Sequence, residues 1–349
     1  LHPRVRRQRQ MCIRDRSIFI AINMDKRRIA IVAGGYSSEF PVSLRSAQGI
    51  YSFMDKDRYD IYIVKLTRDE WFVELPDGET SEIDKNDFSF VEGGRIRHFD
   101  FVYITIHGTP GEDGRLQGYL DMIGLPYSTC DTLVSAMTFN KFVCNRYLHA
   151  FGIPIAHSIV LRNGQTVSDR EIVEQIGLPC FIKPNVGGSS CGATKVKIEE
   201  EIQPAIKKAF DEGKEVIIEA FMAGTEITCG CYKTRKRDVV LPVTEVVSKN
   251  EFFDYEAKYT ASKVEEITPA RLSEEMTAKV QERTSFIYDI LGCKGIIRVD
   301  YIIVGKEPYL LEVNTTPGMT ETSFIPQQVK AAGMEMKQVL SEIIEDEML

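Results

Sequence analysis

Short apolar runs alternate with segments whose apolar residues recur at helical spacing along most of the chain. RRIAIVAGG and YDIYIVKL predict buried strands, and PVSLRSAQGIYSFM between them has the periodicity of an amphipathic helix. A strand, a glycine turn and a helix form a βα unit, which belongs to a parallel sheet. FDFVYITIHG predicts a further strand, followed by a helix from Leu116 to Ile123. The pattern therefore predicts an α/β protein with an N-terminal parallel sheet.

A second unit begins near residue 130. The segment from Thr129 to Phe151 has one long helical pattern, closed by Gly152 and Pro154 in the order expected at a helix end. Ser168 and Glu171 have the spacing of a capping box, and CFIKP downstream predicts a strand. The following NVGGSSCG is too rich in glycine and serine to pack, so it predicts a loop. Further on, EVIIEAFMAGTEITCGCY predicts two strands joined by a short linker.

The stretch GIIRVDYIIVGKEPYLLEVNTTPGMTETS predicts a β-hairpin, because two β-branched, aromatic-rich runs flank a turn at 305–308. A register that pairs Arg298 with Asn314 and Asp300 with Glu312 brings all four side chains to one face. That register requires a three-residue or five-residue loop, or an equivalent bulge. Carboxylate and amide oxygens bind Mg²⁺ together with nucleotide phosphates. The hairpin therefore indicates a metal-nucleotide site, and a solvated charged face is the alternative.

Other candidate residues follow predicted strands. Lys183, at the base of the glycine-serine loop, suits a loop that covers phosphates, although a plain linker has the same composition. Glu39, in the first βα turn, suits a ligand ammonium or the N-terminus of a helix. His107 ends a strand and suits a carboxylate or a phosphoryl oxygen, although a lone histidine is more often structural. Glu112 and Asp113 are interpreted as caps of the next helix.

Composition narrows the functional classes. The chain has 349 residues, of which 43% are hydrophobic and 27% charged, as in ordinary globular proteins of two or three domains. The net charge of -8 and the pI near 5.4 argue against a general binder of nucleic acids or anionic membranes. The eight cysteines lack paired metal spacing and are interpreted as reduced core thiols, which predicts a cytoplasmic protein. Residues 1–23 are basic and patternless, and we expect them to be a non-native or disordered extension.

Six motifs in order carry a resemblance to a known family: GGYSSEFPVS, HGTPGEDGRLQGYL, KPNVGGSSCG, FDYEAKY, GIIRVDYII and LLEVNTTPGMTETS. The chain from Met24 onward resembles the D-alanine:D-alanine ligases of the ATP-grasp superfamily. The resemblance implies three α/β domains, with ATP held between the two later sheets. The expected domains are an N-terminal substrate-binding domain (24–129), a central ATP-grasp domain (130–222) and a C-terminal ATP-grasp domain (223–349).

The resemblance also implies roles for individual residues. Asp300, Glu312 and Asn314 are expected to bind two Mg²⁺ ions, with Mn²⁺ as a substitute, and Arg298 and Gly318 to stabilise an oxyanion. ATP is expected to contact Lys141, Lys183, Ser189, Ser190, Glu219, Phe221, Met222, Glu226 and Lys258. D-alanine is expected to contact Glu39, His107, Lys258 and Ser323, and Glu39 is expected to form a network with Ser189 and Tyr259 that keeps a lid loop closed. Val186 and Gly187 stand where some members carry a charged residue, so no ionic role is expected there.

The activity implied by the resemblance is ATP-dependent ligation of two D-alanines through an acyl phosphate, for peptidoglycan precursor synthesis. A homodimer is expected. The alternatives are a D-alanine:D-lactate ligase and a non-catalytic ATP-binding regulator. Tyr259 matches the dipeptide-forming branch, whereas a regulator should have lost metal ligands or phosphate lysines that this chain retains.

Overall fold

The computed structural model describes residues 26–188, 191–248 and 264–349. A mixed sheet in the order β4-β3-β2-β1-β7 forms the N-terminal part. The elements of this part are β1 (Arg27–Gly34), α1 (Phe40–Phe53), β2 (Tyr59–Leu66), β3 (Trp71–Glu74), β4 (Thr80–Glu82), β5 (Phe90–Glu92), β6 (Arg95–Arg97), β7 (Phe101–Ile104) and α2 (Arg115–Ile123). Strands β5 and β6 form a separate two-stranded sheet. Strands β2, β1 and β7 are parallel, whereas β3 and β4 pair antiparallel. The predicted parallel pairing is confirmed for β2, β1 and β7, whereas β3 and β4 were not predicted and pair antiparallel because short turns join antiparallel neighbours.

A four-stranded antiparallel sheet in the order β10-β9-β11-β8 forms the second layer. Its elements, with the two helices before it, are α3 (Thr132–Phe139), α4 (Lys141–His149), β8 (Ser158–Arg162), α5 (Asp169–Gln175), β9 (Cys180–Pro184), β10 (Thr194–Val196), α6 (Ile202–Glu212) and β11 (Glu215–Ala220). The capping box of Ser168 and Glu171 is confirmed at the start of α5. The predicted long helix is divided at Asn140, whose extended backbone (φ −91°, ψ 98°) caps α4. Lys141 is therefore the first residue of a helix.

A larger antiparallel sheet in the order β15-β14-β12-β16-β17, with β13 also beside β12, forms the third layer. Its elements are β12 (Thr225–Lys233), β13 (Asp238–Val240), β14 (Thr244–Ser248), β15 (Val264–Ile267), α7 (Glu274–Leu291), β16 (Ile296–Val304), β17 (Glu307–Asn314), α8 (Phe324–Ala331) and α9 (Met336–Glu347). No helix in the described ranges is both long and apolar enough to span a bilayer.

Buried apolar residues join the first and third sheets. Ile31 and Phe101 of the first sheet share one core cluster with Ile296 of β16, Ile325 of α8 and Val339 of α9. Dense packing of this kind holds sheets in fixed relative positions. The α/β class is confirmed, and the division at residues 129/130 and 222/223 stays a prediction.

Candidate active site

A cavity of about 1110 Å³ is lined by strand residues of the second and third large sheets, by loops that follow strands of the first, and by residues of the neighbouring helices. Every predicted site residue in the described part of the chain lines it. These residues are Glu39, His107, Lys141, Lys183, Glu219, Phe221, Met222, Glu226, Arg298, Asp300, Glu312, Asn314, Gly318 and Ser323. The predictions for Ser189, Ser190, Lys258 and Tyr259, and for residues 1–23, lie outside the described residues. Tertiary structure thus brings together groups that are widely separated in sequence.

The hairpin of β16 and β17 has the predicted pairing at its open end. Arg298 pairs with Asn314, and Asp300 pairs with Glu312. The register then shifts, because Leu311 is an extra residue and the turn has only two residues, Gly305 and Lys306. The predicted loop lengths of three or five residues were wrong, and the bulge alternative is confirmed. The bulge returns the metal-facing side chains to one face, as a plain two-residue hairpin could not.

Asp300 is held rigidly by two donors. Arg298 donates from Nε and Nη2 to its two carboxylate oxygens at 2.8 and 2.7 Å. Thr228, on the neighbouring strand β12, donates from Oγ1 to Oδ1 at 2.6 Å. Burial works against the charge of Arg298, but the attraction of Asp300 outweighs it and raises the Arg298 pKa. This bidentate ion pair fixes both side chains before any ligand binds.

The oxygen atoms on this face fit a hard divalent cation. Asp300, Glu312 and Asn314 offer carboxylate and amide oxygens, and Lys141 Nζ lies 3.5 Å from Glu312 Oε2. Within the described ranges, no three His, Cys, Asp or Glu side chains form a metal cage by themselves. A cation on this face therefore needs further oxygens from phosphate and water, which is the usual coordination of Mg²⁺ beside a nucleotide.

Two lysines reach the same space from the second layer. Lys183 Nζ lies 2.6 Å from Glu219 Oε2. Burial alone would lower the Lys183 pKa, but the attraction and hydrogen bond of Glu219 raise it above its usual value. Lys141 Nζ donates to the Gly187 carbonyl at 2.6 Å. Two cations beside a glycine loop can bind phosphate groups.

A polar network explains why Lys141 lies beside the glycine loop. Asn185 donates from Nδ2 to Asn140 Oδ1 at 2.9 Å and to Glu215 Oε2 at 2.7 Å. The Lys141 N–H donates to the Asn185 carbonyl at 3.1 Å. The start of α4 is therefore attached to the strand end from which the loop leaves. This long-range attachment also explains the helix break at Asn140.

An apolar slot adjoins the lysines. The Phe181 and Phe221 ring centroids lie 6.0 Å apart, and Lys195 Nζ lies 3.9 Å from the Phe221 centroid. Met222 and Leu311 line the same cavity, and Glu226 adds a carboxylate. A flat heterocycle with an attached sugar fits such a slot, because apolar side chains can pack on the ring and the acid can accept from hydroxyls.

The opposite end of the cavity contains Glu39 and His107. Glu39 makes no side-chain cap with α1, and its Oε2 lies 2.5 Å from where a Cβ on Gly188 would stand. His107 Nε2 lies 3.2 Å from Ser46 Oγ. Burial lowers the pKa of His107, with Glu39 opposing and Arg298 assisting this shift. This end of the cavity therefore combines an imidazole that favours its neutral form with a carboxylate beside the glycine loop.

Glu112 is a site residue that the sequence argument missed. Gly114 is the N-cap of α2, and Asp113 Oδ1 accepts from the Arg115 N–H at the helix start at 3.3 Å, so the cap interpretation was wrong for Glu112 but not for Asp113. Glu112 instead lines the cavity, where its Oε2 accepts from the Gly108 N–H at 2.6 Å. Desolvation, followed by repulsion from Glu39, raises the pKa of Glu112 to about 8. The acidic HGTPGEDG loop after a predicted strand was a signal for a site residue, but the fold decides whether the Glu112 side chain points into the cavity.

The loop after β17 completes the wall. Ser323 precedes α8 without capping it, and its Oγ accepts from the Thr320 N–H at 3.0 Å. A Cβ on Gly318 would lie 3.1 Å from this oxygen. The Arg298 guanidinium carbon lies 5.4 Å from the Phe324 ring centroid. This loop therefore places a hydroxyl and a glycine backbone beside a cation.

Two family models match the chain over most of its length. Residues 28–130 match the D-ala D-ala ligase N-terminus, and residues 147–345 match the D-ala D-ala ligase C-terminus. The chain belongs to the D-alanine–D-alanine ligase family. Among curated family members, the D-alanine–D-alanine ligase of Bacteroides fragilis (strain YCH46) is 66% identical over 92% of this chain and 99% of its own length. The ligase of Porphyromonas gingivalis (strain W83) is 57% identical over 93% and 98%.

Solved structures support the family fold. D-alanyl-alanine synthetase A from Vibrio cholerae is 28% identical, with a TM-score of 0.84 over 93% of this chain and 99% of its own. A D-Ala:D-Ser ligase from Enterococcus faecalis is 32% identical, with a TM-score of 0.81 over 92% and 99%. The Bacillus anthracis ligase complexed with ATP is 28% identical, with a TM-score of 0.72 over 92% and 96%. The predicted ATP-grasp architecture of the family is confirmed.

Proposed function

We propose that this chain joins two D-alanines in an ATP-dependent ligation that releases ADP and phosphate. One observation carries the proposal: cationic, oxygen-rich and apolar groups from three sheets meet in one cavity large enough for a nucleotide and an amino acid. The retained Lys141, Lys183, Asp300 and Glu312 favour an enzyme over a non-catalytic regulator. The product is a precursor of peptidoglycan, so the reaction is assigned to the cytoplasm.

ATP is proposed to lie with its base between Phe221 and Met222, its ribose near Glu226 and its phosphates near Lys141 and Lys183. The Lys183–Glu219 pair supports this placement, because it orients the Lys183 ammonium group, while Lys141 is held beside Gly187 and Glu312. Ser189, Ser190 and Lys258 are assigned to the same nucleotide. Asp300, Glu312 and Asn314 would hold two Mg²⁺ ions, with Glu312 between them and Mn²⁺ as a substitute. The metal supplies neutralisation of charge on the phosphates.

The first step is attack of a D-alanine carboxylate on the γ-phosphorus. A new O–P bond forms while the bond to ADP breaks, and ADP leaves with the electron pair. Glu39 holds the ammonium of this D-alanine, and His107 lies near its carboxylate. The neutral state of His107 supports its place there, because a neutral imidazole can donate without adding a competing charge. Lys183 opposes the charge that develops on the transferred group.

In the second step, the amine of another D-alanine attacks the acyl phosphate carbon. The C–N bond forms, the C–O bond breaks, phosphate leaves with the electron pair, and the nitrogen gives up one proton to the departing phosphate. Arg298 and the Gly318 N–H stabilise the oxyanion, and Ser323 with Lys258 holds the second carboxylate. The bidentate Arg298–Asp300 pair supports this role, because it fixes the guanidinium in advance. Tyr259 is assigned to a lid that, with Ser189 and Glu39, excludes water from the acyl phosphate.

The decisive assay measures phosphate release from ATP with D-alanine, L-alanine, or D-alanine plus D-lactate or D-serine, with mass spectrometry of the products. We expect release with D-alanine alone and a dipeptide product. An ester product with D-lactate would instead support the depsipeptide ligase. If none of the added substrates increased phosphate release from ATP, both ligase activities would be excluded. A homodimer is also proposed, and sedimentation of the purified chain would measure it.

A further inference from the structure

The Asn314 amide is held at both ends. In the orientation that satisfies its neighbours, the amide oxygen accepts from Arg298 Nη2 at 3.2 Å and the amide nitrogen donates to Glu112 Oε1 at 3.1 Å. Arg298 belongs to the same hairpin as Asn314, but Glu112 comes from the N-terminal part of the chain. Asn314 is thus oriented jointly by the third sheet and by a loop of the first.

The orientation of this amide matters because its two ends are chemically different. The oxygen can bind a hard cation, whereas the NH₂ group has no lone pair to offer and repels it. A partner that binds the nitrogen therefore keeps the oxygen beside Arg298 Nη2, which also donates to the proposed metal ligand Asp300. Groups that orient the ligands of a metal typically change its affinity by about 10- to 100-fold when they are altered.

Glu112 is itself held firmly enough to act in this way. Its Oε2 accepts from the Gly108 N–H at 2.6 Å. The turn is closed by the N–H groups of Gly111 and Glu112, which both donate to the Gly108 carbonyl at 2.9 Å. In the ionised form of Glu112, which the Gly108 N–H and the charge of Lys141 favour, both carboxylate oxygens accept, one from the first sheet's own loop and one from Asn314.

We propose that Glu112 is a positioning residue that selects the metal-binding orientation of Asn314. This inference rests on the proposed function, which assigns Asn314 to the metal. It also implies that the metal site is complete only when the 108–112 turn of the N-terminal part packs against β17. The D-alanine end, where His107 precedes this turn, is thereby connected to the metal end through one hydrogen bond.

The chemistry of the pair allows a specific exchange. In Glu112→Gln, the side chain has one acceptor and one donor, so it cannot accept from both Gly108 and Asn314. In the double variant Glu112→Gln/Asn314→Asp, the introduced amide can accept from Gly108 and donate to the introduced carboxylate, whose other oxygen faces the metal. The double variant keeps the total charge and satisfies every donor. Asp113→Asn is the matched control, because Asp113 lies in the same turn but pairs with Thr109 and Arg115.

The test measures Mn²⁺ binding in the presence of saturating ADP. The readout is the electron paramagnetic resonance signal of the free Mn²⁺ ion. We expect Glu112→Gln to weaken Mn²⁺ binding by about 10- to 100-fold while metal-free ADP affinity changes less than about twofold. Asp113→Asn should match the unmodified chain, and the double variant should recover most of the lost affinity. The single variant Asn314→Asp is measured as well, because a carboxylate ligand by itself strengthens Mn²⁺ binding, and only a recovery beyond the sum of the two single effects shows that positions 112 and 314 act as a pair.

Three results would overturn the inference. Equal Mn²⁺ affinity in Glu112→Gln and the unmodified chain would show that Glu112 does not orient Asn314. Loss without recovery in the double variant would point to damage of the turn. An unmodified chain that binds ADP but no Mn²⁺ would remove the metal role on which the inference rests, and this result is distinguishable because it appears before any substitution is made.

Discussion

The contact between Glu39 and Gly188 shows how single residues set the distance between the proposed D-alanine end of the cavity and the glycine loop. A Cβ on Gly188 would lie 2.5 Å from Glu39 Oε2 and 3.0 Å from Oε1. Such contacts are closer than atoms tolerate, but the obstructing group is the end of a flexible side chain. A larger residue at Gly188 should therefore move the carboxylate at little cost to the fold.

We predict that Gly188→Ala raises the KM for D-alanine by about 10-fold, or about 1.4 kcal/mol, and leaves the melting temperature nearly unchanged. Steady-state kinetics and a thermal melt measure the two effects. Gly213→Ala is the control, because its Cβ would meet its nearest neighbours at an ordinary 3.7 Å. An unchanged KM in Gly188→Ala would show that Glu39 is not confined by this loop.

At the scale of elements, the residue that begins α4 determines both the stability of this helix and the position of Lys141. Asn140 caps α4 by accepting from the Val143 N–H at 3.0 Å, and it also accepts from Asn185. Replacing Asn140 should therefore affect both helix stability and the position of Lys141. A comparable cap away from the cavity, Ser168 on α5, allows the two effects to be separated.

Asn140→Ala should lower the unfolding free energy by about 1–2 kcal/mol and weaken ADP binding several-fold, because Lys141 loses its fixed position. Ser168→Ala should lower stability by a similar amount without changing ADP binding. Urea unfolding and calorimetric titration measure these quantities. If both variants bind ADP as the unmodified chain does, the network does not position Lys141.

The C-terminal helix α9 is held by one carboxylate that accepts several hydrogen bonds. Glu342 Oε2 accepts from Tyr232 at 3.0 Å and from Arg237 Nε and Nη2 at 3.0 and 2.6 Å. Burial would raise the Glu342 pKa, but the Arg237, Gln338 and Tyr232 hydrogen bonds lower it below the usual 4.5. Its stabilising contribution is therefore complete at neutral pH and is lost as the pH falls below 4.5 through the lower folded-state value.

Glu342→Gln should reduce the unfolding free energy by about 1–3 kcal/mol at pH 7, and the difference from the unmodified chain should shrink as the pH falls below about 4.5. Urea unfolding at several pH values tests this. Glu174→Gln, which removes an exposed pair with Arg170, should cost less than about 0.5 kcal/mol. A pH-independent difference for Glu342→Gln would contradict the electrostatic explanation.

At the scale of the whole molecule, the cavity between the sheets makes one thiol distinct. Six of the seven cysteines in the described ranges are buried, whereas Cys191 is half-buried and lines the cavity. Ligands in the cavity should therefore control access to this thiol, while access to the others requires unfolding.

We predict that iodoacetamide labels Cys191 before the six buried cysteines, and that ADP with Mg²⁺ slows its labelling by at least about fivefold. Peptide mass spectrometry after timed quenching measures this for each cysteine. Cys130 serves as an internal control, because it is fully buried. Labelling of Cys191 at the same rate with and without nucleotide would place the nucleotide away from it.

The sequence alone determined the local elements and the residue types of the site. Strand periodicity, glycine turns and the capping box are properties of neighbouring residues, so β1, α5 and the β16–β17 hairpin could be predicted. The pairing of Asp300 with Glu312 followed from the two-residue period of strands, although the bulge at Leu311 that achieves it did not. The roles of the candidate residues came from the family resemblance.

Only the tertiary structure decided which distant groups oppose one another. The helix breaks at Asn140 because Asn185 and Glu215, which are remote in sequence, bind there. Glu112 turns into the cavity rather than capping α2 because Gly108 and Asn314 provide its partners. These choices depend on contacts between residues that are distant in sequence, and a local pattern carries no information about a partner that lies 45, 75 or about 200 residues away.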